Sequence, residues 1–377
     1  MEYDLVFEGG GAKGIVFVGA MEEFARQGHS ARRYIGTSAG AITATLLAAG
    51  YSADELSAAA TEKLPNGDPI FSSFMDTPEE FDRGVIEASV TFEIFKRVKL
   101  SWVPKKTKRW FDLRLFKRLM RIKAYRTIFS FIERGGLYKG DAFLDWIIEK
   151  LNVKNDRWGK ATLSQFFEAT GSDLTLVASD TTGKEMLVLN HRTAPDCPVA
   201  WAVRMSMSIP FLWQEVRWDD EWGTYLGRSM SDHRIVDGGV LSNFSIDLII
   251  SSDADVQKLM GGDTEPEGAG SLGLLIDENL EVPESGDAPS SGSDNSDKNL
   301  MDTIQNLRTV RRIERLIDTM TGAHDKLAIR AYEKHVCHLP AKGYGTTEFG
   351  MTSSRIDALI KAGSKAMREY FDNLNAG

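Results

Sequence analysis

Short apolar runs that end abruptly in glycine set the pattern of the first fifty residues. Leu5-Val6-Phe7 stops at Gly9-Gly10-Gly11, which predicts a buried strand running into a tight turn. Ile15, Val18, Met21, Phe24 and Ala25 then recur at helical spacing as far as about Arg26, and Gly28 is a natural stop. A second strand is predicted around Arg33-Tyr34-Ile35, leading into Gly36-Thr37-Ser38-Ala39-Gly40 and a small-residue helix from Ala41 to Ala49. Two strand-turn-helix units in succession predict a mainly parallel sheet with helices on its faces. Further on, residues 174–178 and 185–189 read as strands joined through an Asp180-Thr181-Thr182-Gly183 turn. Helical patterns return over about 301–333 and 353–374, and there is no internal repeat.

The chain changes character over about 92–135. Phe111, Leu115, Leu119, Ile122, Tyr125, Phe129 and Ile132 are spaced three or four apart, as one face of a helical insertion would be. Between Lys96 and Lys139 fifteen Lys/Arg stand against two acids, Asp112 and Glu133, so this stretch carries +13 while the rest of the chain carries −22. A solvated basic helix packed on the core fits the pattern. So does an interfacial helix drawn to anionic lipid, with Trp102, Trp110 and Phe111 at the headgroup boundary. Interleaved cations and aromatics also admit nucleic acid, but none is expected here. Residues 277–298, acidic and rich in Ser, Gly and Pro, are expected to form a mobile loop, either simply solvated or covering the basic segment.

Length and composition narrow the class. A chain of 377 residues with 42% apolar residues buries a sizeable core. The opening Met1-Glu2-Tyr3-Asp4 has no basic or apolar leader pattern, and no run approaches the length of a membrane span. A cytoplasmic protein is expected, with any membrane contact peripheral; delivery into another cell stays open. Cys197 and Cys337 lie far apart without metal-ligand spacing, so free thiols are expected and no metal or cofactor.

Two motifs carry chemistry. Residues 36–40 fit G-x-S-x-G, the sharp strand-to-helix turn that exposes a serine oxygen. Gly36 and Gly40 permit a strained backbone there, and the helix end near Ser38 favours developing negative charge. Small residues also surround serines that do nothing, so the strand before and the helix after supply the weight. Gly9-Gly10-Gly11-Ala12-Lys13-Gly14 matches the dinucleotide fingerprint, yet the acidic residue expected about twenty positions on is replaced by Tyr34-Ile35-Gly36. No Gly-Lys-Ser/Thr closes a phosphate loop either. A cluster of backbone N–H groups that receives an oxyanion remains, with Lys13 either steadying an anionic headgroup or lying on the surface.

Together these motifs resemble the patatin-like phospholipase family, whose pattern also calls for a later Asp-Gly-Gly or Asp-Gly-Ala. Asp237-Gly238-Gly239 supplies it, followed by Leu241-Ser242-Asn243-Phe244. Ala202-Val203-Arg204-Met205-Ser206-Met207-Ser208-Ile209-Pro210-Phe211 is similar to the family segment between the catalytic motifs. Gly136-Leu137-Tyr138-Lys139-Gly140-Asp141 is similar to another landmark. The resemblance covers roughly 3–248, with a looser match over 353–370. It implies a three-layer α/β/α fold around a mainly parallel sheet, in one catalytic domain spanning 1–377 with the basic insertion and the acidic loop.

The resemblance further implies a lipid acyl hydrolase of phospholipase A type, with Ser38 as nucleophile and Asp237 as general base. Gly9, Gly10, Gly11 and Gly14 would then belong to the oxyanion loop, and phospholipids or related acyl esters would be the substrates. An isolated Asp-Gly-Gly is otherwise an ordinary turn. A Ser-His-Asp esterase is the nearest rival mechanism; of the six histidines, His233, four residues before Asp237, alone invites that role. A catalytically silent lipid-binding or interaction protein of the same fold is the alternative of a different class.

Overall fold

The computed structural model describes residues 1–97, 108–261, 269–283 and 329–376. Its main sheet contains β1 (Glu2–Phe7), β2 (Ser30–Thr37), β4 (Asp173–Asp180), β5 (Glu185–Leu189), β7 (Val216–Arg217), β10 (Arg234–Asp237), β11 (Gly270–Glu281) and β12 (Val336–Lys342). The strand order is β12-β11-β1-β2-β4-β10-β7, with β5 also paired to β4. Every pairing from β12 to β4 is parallel, whereas β5 and β10 pair antiparallel with β4, and β7 antiparallel with β10. Two small sheets pair β3 (Gly136–Tyr138) with β6 (Phe211–Trp213), and β8 (Thr224–Tyr225) with β9 (Arg228–Ser229).

Central strands show no alternation of apolar and polar residues because both faces of the sheet are covered. All eight residues of β4 are buried. Successive side chains feed opposite cores: Leu5, Phe7, Leu176 and Leu274 pack into one, Val6, Val177 and Leu275 into the other. Across the starts of three parallel strands, Arg33 lies 3.6 Å from Asp4 and 3.3 Å from Asp173, and Arg192 completes the group at 2.9 Å from Asp173. Charges this deeply buried need such mutual pairing to persist.

Helix α1 (Val16–Arg26) follows a 3-10 turn over Gly11–Ile15, and Gly28 ends it at φ 77°. α1 packs on the long helix Ser353–Ala376 so closely that a Cβ on Gly19 would lie 1.7 Å from the Ile360 carbonyl oxygen. α2 (Ala39–Ala48) is almost wholly buried between sheet and neighbours, which explains its run of alanines, threonines and leucines. α3 (Ala53–Ala60) begins with a reciprocal cap between Ser52 and Glu55.

The basic stretch differs from its expected form. It comprises most of α5 (Val90–Arg97), α6 (Lys108–Met120) and α7 (Lys123–Arg134), preceded by α4 (Arg83–Ala88), with residues 98–107 outside the described part. The predicted single stripe is broken where α6 gives way to α7. Phe116 and Phe129 meet at 5.9 Å in a small core with Ile86, Phe92 and Met120, while Ile122, Tyr125 and Ile132 stay exposed. Folding back lets aromatics of both helices share one core, which a continuous helix would hold apart.

The expected acidic loop also needs correction at its start. Asp277–Glu281 belong to β11 and pair with β12; residues 284–298 lie outside the described residues. So does most of the helical pattern over 301–333. Among the described residues no helix is long and apolar enough to cross a membrane.

Candidate active site

β2 delivers Ser38 to the head of α2, where the serine adopts φ 53° and ψ −119°. A non-glycine residue there is strained, and the turn holds it by leaving no alternative. A Cβ on Gly36 would lie 2.3 Å from the Gly40 carbonyl oxygen, and one on Gly40 would lie 2.3 Å from that of Phe7. The two glycines therefore let strand, turn and helix close on one another. The Ser38 N–H donates to Ser206 Oγ at 3.0 Å, and that hydroxyl donates to the Val177 carbonyl at 2.6 Å. Ser206 ends α10 (Val199–Ser206) and is fully buried.

Asp237 reaches the same place from β10. In the sheet Thr37 pairs with Val177, and Ala178 pairs with Asp237, so the ends of β2 and β10 lie abreast on either side of β4. Gly238 then crosses β4: a Cβ there would meet the Val177 oxygen at 2.3 Å and Thr37 at 2.9 Å. The Asp237 N–H donates to the Ser208 carbonyl at 2.9 Å, and its Oδ1 accepts from the Gly239 N–H at 2.8 Å. Oδ2 completes no hydrogen bond among the described residues. Burial pushes the carboxyl up to about 7, opposed by the neighbouring Ser38 hydroxyl and the Gly239 N–H. Ser38 is close enough to favour the charged form without a fully formed bond, the loose arrangement common before substrate binds.

The glycine loop lies against both. Gly9 N–H donates to the Asn243 carbonyl and Ala12 N–H to that of Thr346, each at 2.9 Å. The N–H groups of Gly10 and Gly11 find no acceptor among the described residues. Gly11 stands at φ 55°, and a Cβ on Gly14 would lie 2.6 Å from that of Ala39, so loop and serine turn touch. Lys13 is neither on the surface nor open to a headgroup: its side chain is buried and ion-paired with Glu278 of β11.

Three residues that sequence reasoning left without a role hold these parts together. The Asn243 carboxamide donates to Glu8 at 3.1 Å and to the Gly9 carbonyl at 2.8 Å, while Gly239 passes beside its oxygen. It thus couples the glycine loop to the Asp-Gly-Gly turn. Ser206 fastens the serine turn. Asp76 accepts from the N–H groups of Gly140, Asp141 and Ala142, capping α8 (Asp141–Lys154). Asn243 and Ser206 stood inside quoted motifs, but only spatial neighbours reveal what their side chains do.

Arg204, fully buried, donates to the carbonyls of Lys139, Gly140 and Gln214 and to the Ser208 hydroxyl. It therefore steadies the residue on which Asp237 hangs; burial lowers its own pKa to about 10. His233 lies 2.6 Å from Asp180 rather than at the serine. His29, His191, His335 and His338 likewise contact other groups. His324 lies outside the described residues.

Ser38 opens on an apolar cleft lined by Val18, Ile42, Leu46, Phe71, Phe74 and Trp146. Its walls suit a hydrocarbon chain.

A mainly parallel sheet between helical layers, with a serine turn at the mouth of an apolar cleft, defines an α/β protein of the lipid-hydrolase class. The chain belongs to the patatin-like phospholipase family, whose model matches residues 5–250. It is 29% identical over 372 residues to the uncharacterized protein YqhO of Bacillus subtilis strain 168, covering 97% of this chain and 96% of that one. Among solved structures, VipD from Legionella pneumophila aligns with 98% of this chain and 67% of its own at 16% identity and a TM-score of 0.47. ExoU from the type III secretion system of Pseudomonas aeruginosa aligns with 98% of this chain and 52% of its own, at 14% identity and a TM-score of 0.43.

Proposed function

We propose that the protein hydrolyses fatty acyl esters of phospholipids or related lipids through a Ser38–Asp237 dyad and an acyl-enzyme. The observation that carries this reading is the meeting of a strained serine, a buried aspartate poised near neutrality and an apolar cleft. A base whose pKa lies near the working pH combines a useful ionised fraction with real basicity.

In the proposed reaction the acyl chain lies in the cleft and its ester carbonyl meets Ser38 Oγ. Asp237 takes the hydroxyl proton as Oγ bonds to the carbonyl carbon. The N–H groups of Gly10 and Gly11, with the head of α2, hold the oxyanion. Collapse breaks the bond to the leaving alcohol, which receives the proton from Asp237. Water then enters, gives a proton to Asp237 and attacks the acyl-serine; Ser38 recovers that proton as the fatty acid departs. The histidine-mediated alternative is disfavoured because His233 is engaged by Asp180.

The direct test joins fluorophosphonate labelling to mass spectrometry of products from mixed phospholipid vesicles, with Ser38→Ala as control. Released fatty acid and lysolipid with the parent, and neither with the variant, are expected. A parent that binds vesicles but neither labels nor releases fatty acid would be a silent lipid-binding protein. Peripheral contact with an anionic membrane is part of the proposal, since the substrate resides there.

A further inference from the structure

We infer that the outer side of α7, with the adjoining turn of α6, is a docking face for an anionic lipid surface. The inference rests on the lipid-hydrolase reading for its purpose but not for its evidence. Ile122, Tyr125, Ile128 and Ile132 are 51%, 45%, 38% and 56% exposed. They follow one another at intervals of three and four, so they line one side of α7. The opposite side, with Thr127 and Ser130, is buried, as is Phe129 at the edge of the stripe. A helix already packed on the protein thus offers a second apolar stripe to the outside, where stray isoleucines are not usually aligned.

The charges around the stripe are of one sign. Lys117, Arg118, Arg121, Lys123 and Arg134 are exposed, and none meets an acid among the described residues. Both acids of α6 and α7 are turned away. Asp112 is 3% exposed, and Glu133 accepts from the Thr91 N–H of α5 at 2.6 Å. Exposed aliphatic residues on a helix pair whose open charges, among the described residues, are cations complement a phase that is apolar inside and anionic at its boundary. A nucleic acid would leave the isoleucines without an apolar partner, and a second copy of the same face would be repelled.

The face is also joined to the cleft. Phe131 of α7 contacts Phe211 at 5.9 Å, and Ser130 accepts from Gln214 at 2.8 Å. Between those two partners lies Trp213, which with Ile209 lines the cleft. A bilayer seated on α7 would therefore press on the segment that forms the wall of the acyl site.

The test measures co-sedimentation of the full chain with phosphatidylcholine vesicles, with and without phosphatidylserine, alongside hydrolysis of a soluble short-chain ester. Binding should be at least roughly tenfold tighter with the anionic lipid and should weaken steeply as salt rises toward about 0.5 M. The double variants Ile128→Ser/Ile132→Ser and Arg118→Glu/Arg121→Glu should each lose about tenfold or more while soluble-ester hydrolysis is unchanged; these side chains are exposed, so folding tolerates the changes. Equal binding to both vesicles, undiminished binding by the variants, tighter binding to duplex DNA than to vesicles, or a dimer broken by the isoleucine changes would each overturn the docking face. Those results would leave hydrolysis of the soluble ester intact. Conversely, vesicle binding without ester hydrolysis would sink the catalytic reading and spare this one.

Discussion

In the proposed dyad, burial and base chemistry pull against each other at Asp237. Holding its ionised form in a site that moves it up to about 7 costs roughly 4 kcal/mol relative to water. Because only the ionised form takes a proton, kcat/KM should rise with pH through about 7 and level off above, measured on a soluble ester. Stability should move the other way. The folded state keeps this proton where the unfolded chain has lost it, so the contribution is whole below the ordinary carboxylate range, fades between about pH 4 and 7, and is gone above. Asp237→Asn should therefore abolish labelling by a fluorophosphonate at pH 8 and yet raise the midpoint of thermal unfolding, by about 1–3 kcal/mol of stability. The turn around Ser38 was legible in the sequence, since strand, turn and glycine leave marks at fixed spacing; Asp237 stood out only through the family resemblance, because Asp-Gly-Gly alone reads as a turn. Asn243, Ser206 and Asp76 were not legible. Their task is to bridge segments up to 235 residues apart, and such bridges leave no local spacing to read.

Elements add a different lesson. The first two strand-turn-helix units could be read directly because each is punctuated by glycines that the packing requires. Gly40→Ala, at the head of α2, would drive a methyl into the Phe7 carbonyl at the end of β1. A loss of more than about 2 kcal/mol is expected in denaturant titration, since backbone cannot yield as a side chain can. In α6 and α7 the same helical periodicity misled, because a 3.6-residue repeat survives a reversal of direction and says nothing about which stripe faces inward. The structure gives Phe116 and Phe129 to a local core and leaves the isoleucines out. α2 also shapes the cleft. Ile42→Phe should narrow it one turn beyond Ser38, lowering kcat/KM for long-chain esters relative to butyrate by roughly tenfold or more, with fluorophosphonate labelling preserved.

At the scale of the molecule, the family match ends at residue 250, but the sheet does not. β11 lies between β1 and β12, and neither β11 nor β12 falls within the match. A chain cut at residue 252 would leave β1, with the glycine loop at its tip, as a bare edge beside an uncovered core. Such a fragment is expected to aggregate or stay unfolded, as judged by solubility and circular dichroism, while the full chain folds. Order in space thus differs from order in synthesis. The serine turn and the aspartate strand are both made before β11, yet β1, which carries the glycine loop, waits for residues 270–281 to become its neighbour. On the proposed activity, a growing chain should consequently be harmless to the lipids of the cell that makes it until residues 270–281 have been added.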